Sequence, residues 1–265
     1  MVGMSDSLSR YLPELRQMRC FSFVDIENIV GCRTKTKQLV DFSLAKSHIT
    51  RVRPGFFAVN RLGTDQPEPN VYEVASKVVP GSYIAFHSAF GYHGLQNQVL
   101  SEMYVASKTR FSSFEYGNMC FRHFFSPFED GVDVNEHNVR LTNLERTAID
   151  CIDDFSKCFS LEELLRCLDI APAFDYHRLE RYLSLYNKGV LYKKVGYILE
   201  HFKNHLKIPD IFFDNCIEKM SGRCTYLYNR LKFSDTVVHD KKWNLYAPLD
   251  LLSIIDKGYF PDDPI

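Results

Sequence analysis

Several features that would identify a particular class of protein are missing from the sequence. None of the eight cysteines forms a C-x-x-C pair, so zinc-ribbon spacing is absent. There is no glycine-rich phosphate loop and no nucleophile elbow. No apolar run reaches the roughly 18 residues of a membrane span, and the amino terminus lacks a signal-peptide core. We therefore expect a reduced, cytoplasmic protein with no membrane partner, no cofactor and no metal ion. Three cysteines, Cys151, Cys158 and Cys167, fit helical patterns and are interpreted as small buried hydrophobes.

The composition is that of an ordinary globular protein with room for two domains. Of 265 residues, 45% are hydrophobic and 25% charged, which is enough to build a core. The segment LGTDQPEPN, residues 62–70, combines a glycine, two prolines and two acids, and is the best linker in the chain. This predicts one domain at residues 1–62 and a second at residues 70–265.

The stretch from Phe23 to Val59 has the pattern of a winged helix-turn-helix. Apolar residues recur at helical spacing until Gly31, and a second helix starts near Thr34. Residues 49–53 and 56–59 then have the composition of two strands around a Pro-Gly turn. We expect an α+β fold, in which an N-terminal winged helix-turn-helix precedes a mixed α/β C-terminal domain.

The second helix and the first strand of this stretch carry the candidate DNA contacts. On a helical wheel Thr36, Leu39, Val40 and Ser43 group on one side, and Thr34, Lys37, Gln38 and Asp41 on the other. Hydroxyl, amine and amide groups in the first turns suit base edges and phosphates, whereas Asp41 is expected to be a solvated acid. Arginines at alternate strand positions are expected to share one face. The candidate contacts are Thr34, Lys35, Lys37, Gln38, Arg51 and Arg53.

Charge favours DNA over the alternative that this unit docks another protein. Residues 1–60 hold nine Lys/Arg and five acids, a net charge of +4, and the whole chain is −1, so the remainder carries −5. Six of those nine basic residues lie between Arg33 and Arg53, with a single acid among them. A basic patch confined to the second helix and the wing is typical of a phosphate-contacting surface.

Two patterns would suit an enzyme or a metal site, and each also has a structural interpretation. Pro209-Asp210 with Asp240-Lys241-Lys242 resembles the PD…DxK pattern of metal-dependent nucleases, but Asp210 is expected to cap a helix. His201 and His205 have the i, i+4 spacing of metal ligands without the glutamate of H-E-x-x-H, and are interpreted as surface residues.

Several further polar residues are interpreted as structural. We expect His87 and His93 to serve packing or capping. Thr142 and Glu145 have the spacing of a capping box, as do Ser160 and Glu163, and Arg146 is expected to pair with Asp150 at i+4. No catalytic residue is therefore assigned.

Several motifs resemble those of the AbiEi family, the antitoxin regulators of type IV toxin–antitoxin (abortive-infection) systems. The similar segments are NVYEVASKVVPGSYIAFHSAFGYHGL (70–95), VRLTNLERTAIDCID (139–153) and LYKKVGYILE (191–200), preceded by a winged helix that ends in RPGFFAV. The resemblance covers roughly residues 20–205. Residues 206–265 match no family that we can name.

The resemblance implies a repressor that binds inverted repeats in its own promoter. It also implies that the C-terminal domain counters a nucleotidyltransferase toxin encoded beside it. Two alternatives stay open: a winged-helix regulator without a toxin, and an enzyme such as a nuclease that the winged helix directs to DNA.

Overall fold

The computed structural model describes residues 8–228, 231 and 237–257, and its elements make an α+β fold, as expected. The chain contacts define two compact units. Unit 1 comprises residues 1–84, 101–127 and 134–141, and unit 2 comprises residues 85–100, 128–133 and 142–265. No helix within the described ranges is both long and apolar enough to cross a bilayer.

Unit 1 begins with the predicted winged helix-turn-helix. Its elements are α1 (Leu12–Met18), β1 (Cys20–Ser22), α2 (Phe23–Val30), α3 (Arg33–Ala45), β2 (Ile49–Arg53) and β3 (Phe56–Val59). The three strands form an antiparallel sheet in the order β1-β3-β2. The turn between β2 and β3 also supports α2, because the Phe23 amide donates to the Gly55 carbonyl at 2.8 Å.

Local signals fix the ends of α2. Ser22 caps it through a reciprocal box, in which the Asp25 amide donates to Ser22 Oγ and the Ser22 amide donates to the Asp25 carboxylate. Gly31 ends it with a φ of 72°, in the left-handed region that glycine adopts without steric cost. The core beneath these helices comes entirely from residues 8–59: Leu8, Leu15, Phe21, Ile26, Leu39, Val40, Ile49, Phe57 and Val59.

The expected linker is part of unit 1, so the units do not divide at residues 62–70. Just after it comes α4 (Val71–Lys77), whose N-cap is Asn70. Arg19 donates to the Glu68 carboxylate at 2.7 Å and to the Glu73 carboxylate at 3.0 Å. Burial opposes the ionisation of Glu73, but its bonds to Arg19 and Asn70 outweigh that effect and hold its pKa below the usual range. The linker prediction depended only on the composition of residues 62–70, which gives no information on the pairing of Arg19 with Glu68 and Glu73.

Glu73→Gln is expected to lower the free energy of unfolding at pH 7 by about 1–2 kcal/mol, because the partly exposed Arg19 loses a buried charged partner. Since the folded-state pKa is depressed, this contribution is present above the unfolded value of about 4.3 and is lost as the pH falls through the folded value. Urea unfolding at several pH values measures it. Glu68→Gln, at a more exposed carboxylate, is the matched control and should cost less. A pH-independent loss in Glu73→Gln would contradict the assignment.

A six-stranded sheet follows, built mainly from residues of unit 1. Its strands are β4 (Tyr83–Ile84), β5 (Glu102–Ser107), β6 (Phe114–Tyr116), β7 (Met119–Phe125), β8 (Val132–Val134) and β9 (Arg140–Thr142), in the order β6-β7-β5-β4-β9-β8. The pair Gly117-Asn118 has the composition that predicts a two-residue hairpin turn; it joins β6 to β7, and Gly117 has a φ of 59°. The composition of residues 82–86 predicts a longer strand than β4, but Phe86 adopts a φ of 56° and a helix begins directly after it.

Unit 2 is mostly helical. Its helices are α5 (His87–Tyr92), α6 (Leu144–Asp153), α7 (Leu161–Asp169), α8 (Tyr176–Tyr186), α9 (Gly189–His201), α10 (Asp210–Lys219) and α11 (Ser253–Lys257). A small sheet in the order β10-β12-β11 joins β10 (Thr225–Tyr226), β11 (Val237–Asp240) and β12 (Leu245–Pro248). The composition of residues 226–231 predicts a strand that lies partly outside the described residues, and no sequence pattern predicts β11.

Two helix caps differ by one residue from the sequence-based assignment. Asn143, not Thr142, caps α6, because its side chain accepts the Arg146 amide at 3.1 Å. Pro209, not Asp210, occupies the N-cap position of α10. In both cases the pattern located the helix start to within one residue, and the side chain that was predicted to cap the helix makes other contacts.

Candidate nucleic-acid interface

Helix α3 has the two faces that its sequence predicted. Thr36, Leu39, Val40 and Ser43 are buried. Thr34, Lys35, Lys37, Gln38 and Asp41 are exposed. The polar face of α3 is therefore presented by a helix whose other face is fixed in the core of the winged helix.

The amino end of α3 adds features that favour an anion. Cys32 occupies the N-cap but makes no side-chain hydrogen bond to the first turn. An uncapped helix start offers backbone N–H groups and a partial positive charge to a phosphate. Arg33 lies beside this end, its guanidinium 5.6 Å from the centre of the Phe23 ring and 3.6 Å from the Glu27 carboxylate. The Arg33 side chain remains 80% exposed, so the ion pair leaves it accessible.

The two wing arginines differ in their surroundings. A register shift between Arg51 and Arg53 interrupts the regular alternation of β2. Arg51 is exposed, with its guanidinium 5.9 Å from the centre of the Phe57 ring. Arg53 is half-buried, 5.4 Å from the centre of Phe111 and 5.8 Å from that of Phe114, and burial lowers its pKa.

A cleft of about 480 Å³ lies next to these rings in unit 1. Its lining consists of Arg110, Phe111, Ser112, Ser113, Arg122 and His123. Arg122 bonds to the Glu102 carboxylate at 3.0 Å, and burial together with the nearby Arg110 lowers the pKa of His123. No sequence pattern predicted this cleft. The available signal was the run RFSSF, two hydroxyls between aromatic residues and after an arginine, but its proximity to the wing depends on tertiary packing.

The nuclease pattern does not form the arrangement that such an enzyme needs. Asp210 starts a helix and its carboxylate is 3.0 Å from Lys203 Nζ. Asp240 is on a strand and accepts the Trp243 amide at 2.8 Å, while Lys242 pairs with Glu200. The two carboxylates and the lysine therefore do not project from adjacent strands, which is the geometry required around a divalent ion.

The histidine candidates have ordinary structural surroundings, except for His87. His201 and His205 are both exposed, and His201 Nδ1 is 2.9 Å from the Tyr197 carbonyl. His93 Nε2 is 2.9 Å from the Thr142 carbonyl. His87 is buried and is 2.9 Å from the Glu163 carboxylate.

Residues 144–147 (LERT) have structural roles, as expected, but the contacts of Glu145 are not those of the predicted capping box. Arg146 Nε bonds to the Asp150 carboxylate at 2.9 Å, which confirms the predicted i, i+4 pair. Glu145 does not close a capping box. Its carboxylate instead accepts the backbone amide of Asp175 at 2.9 Å, at the start of α8. Ser160 caps α7 as predicted, but the Glu163 side chain turns toward other partners.

Comparison with known proteins adds evidence on the fold alone. A crystal structure of the RV2827C protein from Mycobacterium tuberculosis is similar, with a TM-score of 0.62 over 94% of each chain and 14% sequence identity. No protein-family model matches the sequence. No curated protein matches it either.

If both wing arginines contact phosphates, each alanine variant should reduce the magnitude of the salt slope of DNA binding by about 0.9. Arg51→Ala should leave the melting temperature unchanged, because its side chain is exposed. Arg53→Ala should also destabilise the fold by about 0.5–1 kcal/mol, since it loses two aromatic contacts. Fluorescence anisotropy at several salt concentrations and thermal unfolding measure both quantities. Arg223→Ala, at an exposed arginine of unit 2, is the charge-matched control. An unchanged slope in either wing variant would remove that arginine from the interface.

Proposed function

We propose that this protein is a DNA-binding transcriptional repressor that acts as the antitoxin of a type IV toxin–antitoxin system. The observation that carries the DNA-binding part is the exposed face of α3. There Thr34, Lys37 and Gln38 project from a helix whose opposite side is buried in the winged-helix core. Lysine and glutamine at such positions are side chains that pair with guanine and adenine edges in the major groove.

The charges around α3 supply the remaining part of the binding energy. Lys35, Lys37 and Arg51 are exposed, and Arg33 is mostly so. With Arg53 included, five basic residues that each contact one phosphate would give a slope of about −4.5 in log K against log salt. This electrostatic part does not depend on the DNA sequence, so the exposed side chains of α3 must supply the preference for an operator. Inverted repeats in the protein's own promoter are the proposed site.

The antitoxin part of the proposal depends on the resemblance of residues 70–95, 139–153 and 191–200 to the AbiEi family. The proposed partner is a nucleotidyltransferase-type toxin, and the proposed location is the cytoplasm. The protein itself is proposed to have no catalytic activity. The absence of catalytic activity is supported by the nuclease pattern, whose members bond to other side-chain or backbone partners: Asp210, Asp240 and Lys242.

The test combines DNA footprinting with growth rescue. The full chain is expected to protect an inverted repeat upstream of its own gene, and to restore growth when expressed with a neighbouring nucleotidyltransferase. Protection without rescue would reject the antitoxin assignment. Rescue without protection would reject the repressor assignment.

The cleft beside the wing favours one alternative, a winged-helix regulator that responds to a small anion and has no toxin. Arg110, Arg122 and the two serines offer suitable hydrogen-bond donors close to Arg53. That alternative predicts an operator affinity that changes with an added anion at constant ionic strength. The antitoxin proposal predicts no such change.

A further inference from the structure

A histidine, a carboxylate and a thiol converge in the interior of unit 2. We call His87, Glu163 and Cys167 the His-Glu-Cys cluster, and one potential ligand atom of each lies within 4.8 Å of those of the other two. His87 is the first residue of α5. Glu163 and Cys167 are four residues apart on α7, so they share one face of that helix. All three residues are buried, with exposures of 0–2%.

The two oxygens of Glu163 have very different surroundings. Oε1 is 2.9 Å from His87 Nε2, and it accepts the backbone amides of Asn97 at 2.8 Å and Gln98 at 3.0 Å. Oε2 is buried and has no hydrogen-bond partner among the described residues. Burial opposes the ionisation of Glu163, but His87, Gln98 and Asn97 together hold its pKa below the usual range. The group is therefore a carboxylate with one oxygen fully bonded and the other unpartnered in the interior.

The sulfur of the cluster lies close to the carboxylate. Cys167 Sγ is 3.8 Å from Glu163 Oε1. Cys158 and Cys151 are two further cysteines of the same unit. All three cysteines are free thiols and fully buried. The interpretation of Cys167 as a simple hydrophobe overlooked the neighbouring carboxylate.

We propose that the His-Glu-Cys cluster is a structural site for a divalent transition-metal ion, with zinc as the expected occupant. Imidazole nitrogen, carboxylate oxygen and thiolate sulfur are the three ligand types that protein zinc sites use. Glu163 supplies the oxygen, His87 the nitrogen and Cys167 the sulfur of a three-residue ligand set. The site has no C-x-x-C spacing because its ligands come from two separate helices.

Two properties of the cluster suit a structural site better than a catalytic one. The ligands are buried, so the ion would be enclosed by protein atoms and would link α5 to α7. A thiol binds a metal ion as the thiolate, so the Cys167 thiol must give up its proton when the ion binds. Metal uptake should therefore release protons and stabilise unit 2.

The experiment measures metal in the full chain after expression with added zinc and removal of loosely bound ions. The exposed thiols Cys32 and Cys224 are first replaced by serine, since they could bind metal nonspecifically. Elemental analysis is expected to find about one zinc per chain. Substitution with cobalt(II) should give the visible bands and the sulfur-to-metal charge-transfer band of a thiolate-ligated tetrahedral ion.

The variants test the ligands separately from folding. Glu163→Gln keeps an oxygen for the three donors and replaces Oε2 by an amide, so it should fold but lose the metal. Cys167→Ser should lose the charge-transfer band. Cys216→Ser, at a buried cysteine on α10 outside the cluster, should keep both the metal and the band. A chain that folds and contains no metal, or one whose metal survives both Glu163→Gln and Cys167→Ser, overturns the proposal.

Discussion

Lys37→Ala is expected to weaken binding to the operator by about 1–3 kcal/mol, a factor of about 5 to 150, and to weaken binding to random DNA much less. The reason is the position of Lys37 on the exposed face of α3 beside Gln38, since a lysine at such a position in the major groove can pair with a guanine edge. Titration of both DNAs at one fixed salt concentration measures the difference. Because the side chain is exposed, the melting temperature should not change.

Lys46→Ala provides the matched control. Lys46 is exposed and follows the last residue of α3, so the variant removes the same charge from the far end of the same helix. It should affect operator and random DNA alike. Equal losses on the two DNAs for Lys37→Ala as well would show that Lys37 contacts only phosphates, and the base-reading role would move to Gln38 or Thr34.

The same substitution separates the two proposed activities. A folded Lys37→Ala/Arg51→Ala double variant should lose repression and still protect cells from the toxin when expressed from an unrelated promoter. Arg51 is preferred to Arg53 here, because Arg53 packs on two aromatic rings and its loss would also affect stability. If the double variant loses rescue as well, antitoxicity requires the DNA-binding surface.

The largest expected effect on stability is that of Arg146→Ala, about 3–5 kcal/mol of unfolding free energy. The guanidinium bonds to Asp150 at 2.9 Å and to the Asp130 carbonyl at 2.7 Å, and it lies 5.2 Å from the centre of the Tyr186 ring. Arg146 and Asp150 are 2% and 3% exposed, so the variant would leave a carboxylate buried without its cation. Urea unfolding monitored by circular dichroism measures the loss.

Two further variants show whether the lost unfolding free energy comes from the buried Asp150 carboxylate that no longer has a cationic partner. Arg146→Met/Asp150→Leu removes both charges and should recover most of the stability, because replacing a buried ion pair by apolar groups is often neutral. Lys203→Ala removes the surface pair with Asp210 and should leave the unfolding midpoint unchanged. A double variant as unstable as Arg146→Ala would mean that the hydrogen bonds and packing of Arg146 matter more than its charge.

The sequence predicted those features that depend on residues close together in the chain. The two faces of α3, the Gly31 helix end and the 117–118 hairpin all follow from local periodicity and turn chemistry, and the structure has each of them. The Arg146–Asp150 pair follows in the same way from its i, i+4 spacing. In these cases the physical cause lies within one helical turn or one hairpin.

Features that depend on residues distant in sequence were not predictable in this way. The packing of Arg53 on Phe111 joins residues that lie more than 50 positions apart in the sequence. The buried surroundings of His87 come from Glu163, on a helix 76 residues later. Periodicity and spacing contain no information on such pairs, and for this reason the cleft and the His-Glu-Cys cluster were missed.

The interleaved order of the two units has a consequence for synthesis on the ribosome. The core of the winged helix is complete once Val59 has emerged, but unit 1 needs residues up to Leu141. At about 5–20 residues per second, its last strand arrives roughly 4–16 s after that core. During this interval Arg53 lacks Phe111 and Phe114 for part of the time. The nascent winged helix therefore has its own core before Phe111 and Phe114 are available to pack against Arg53 of the wing.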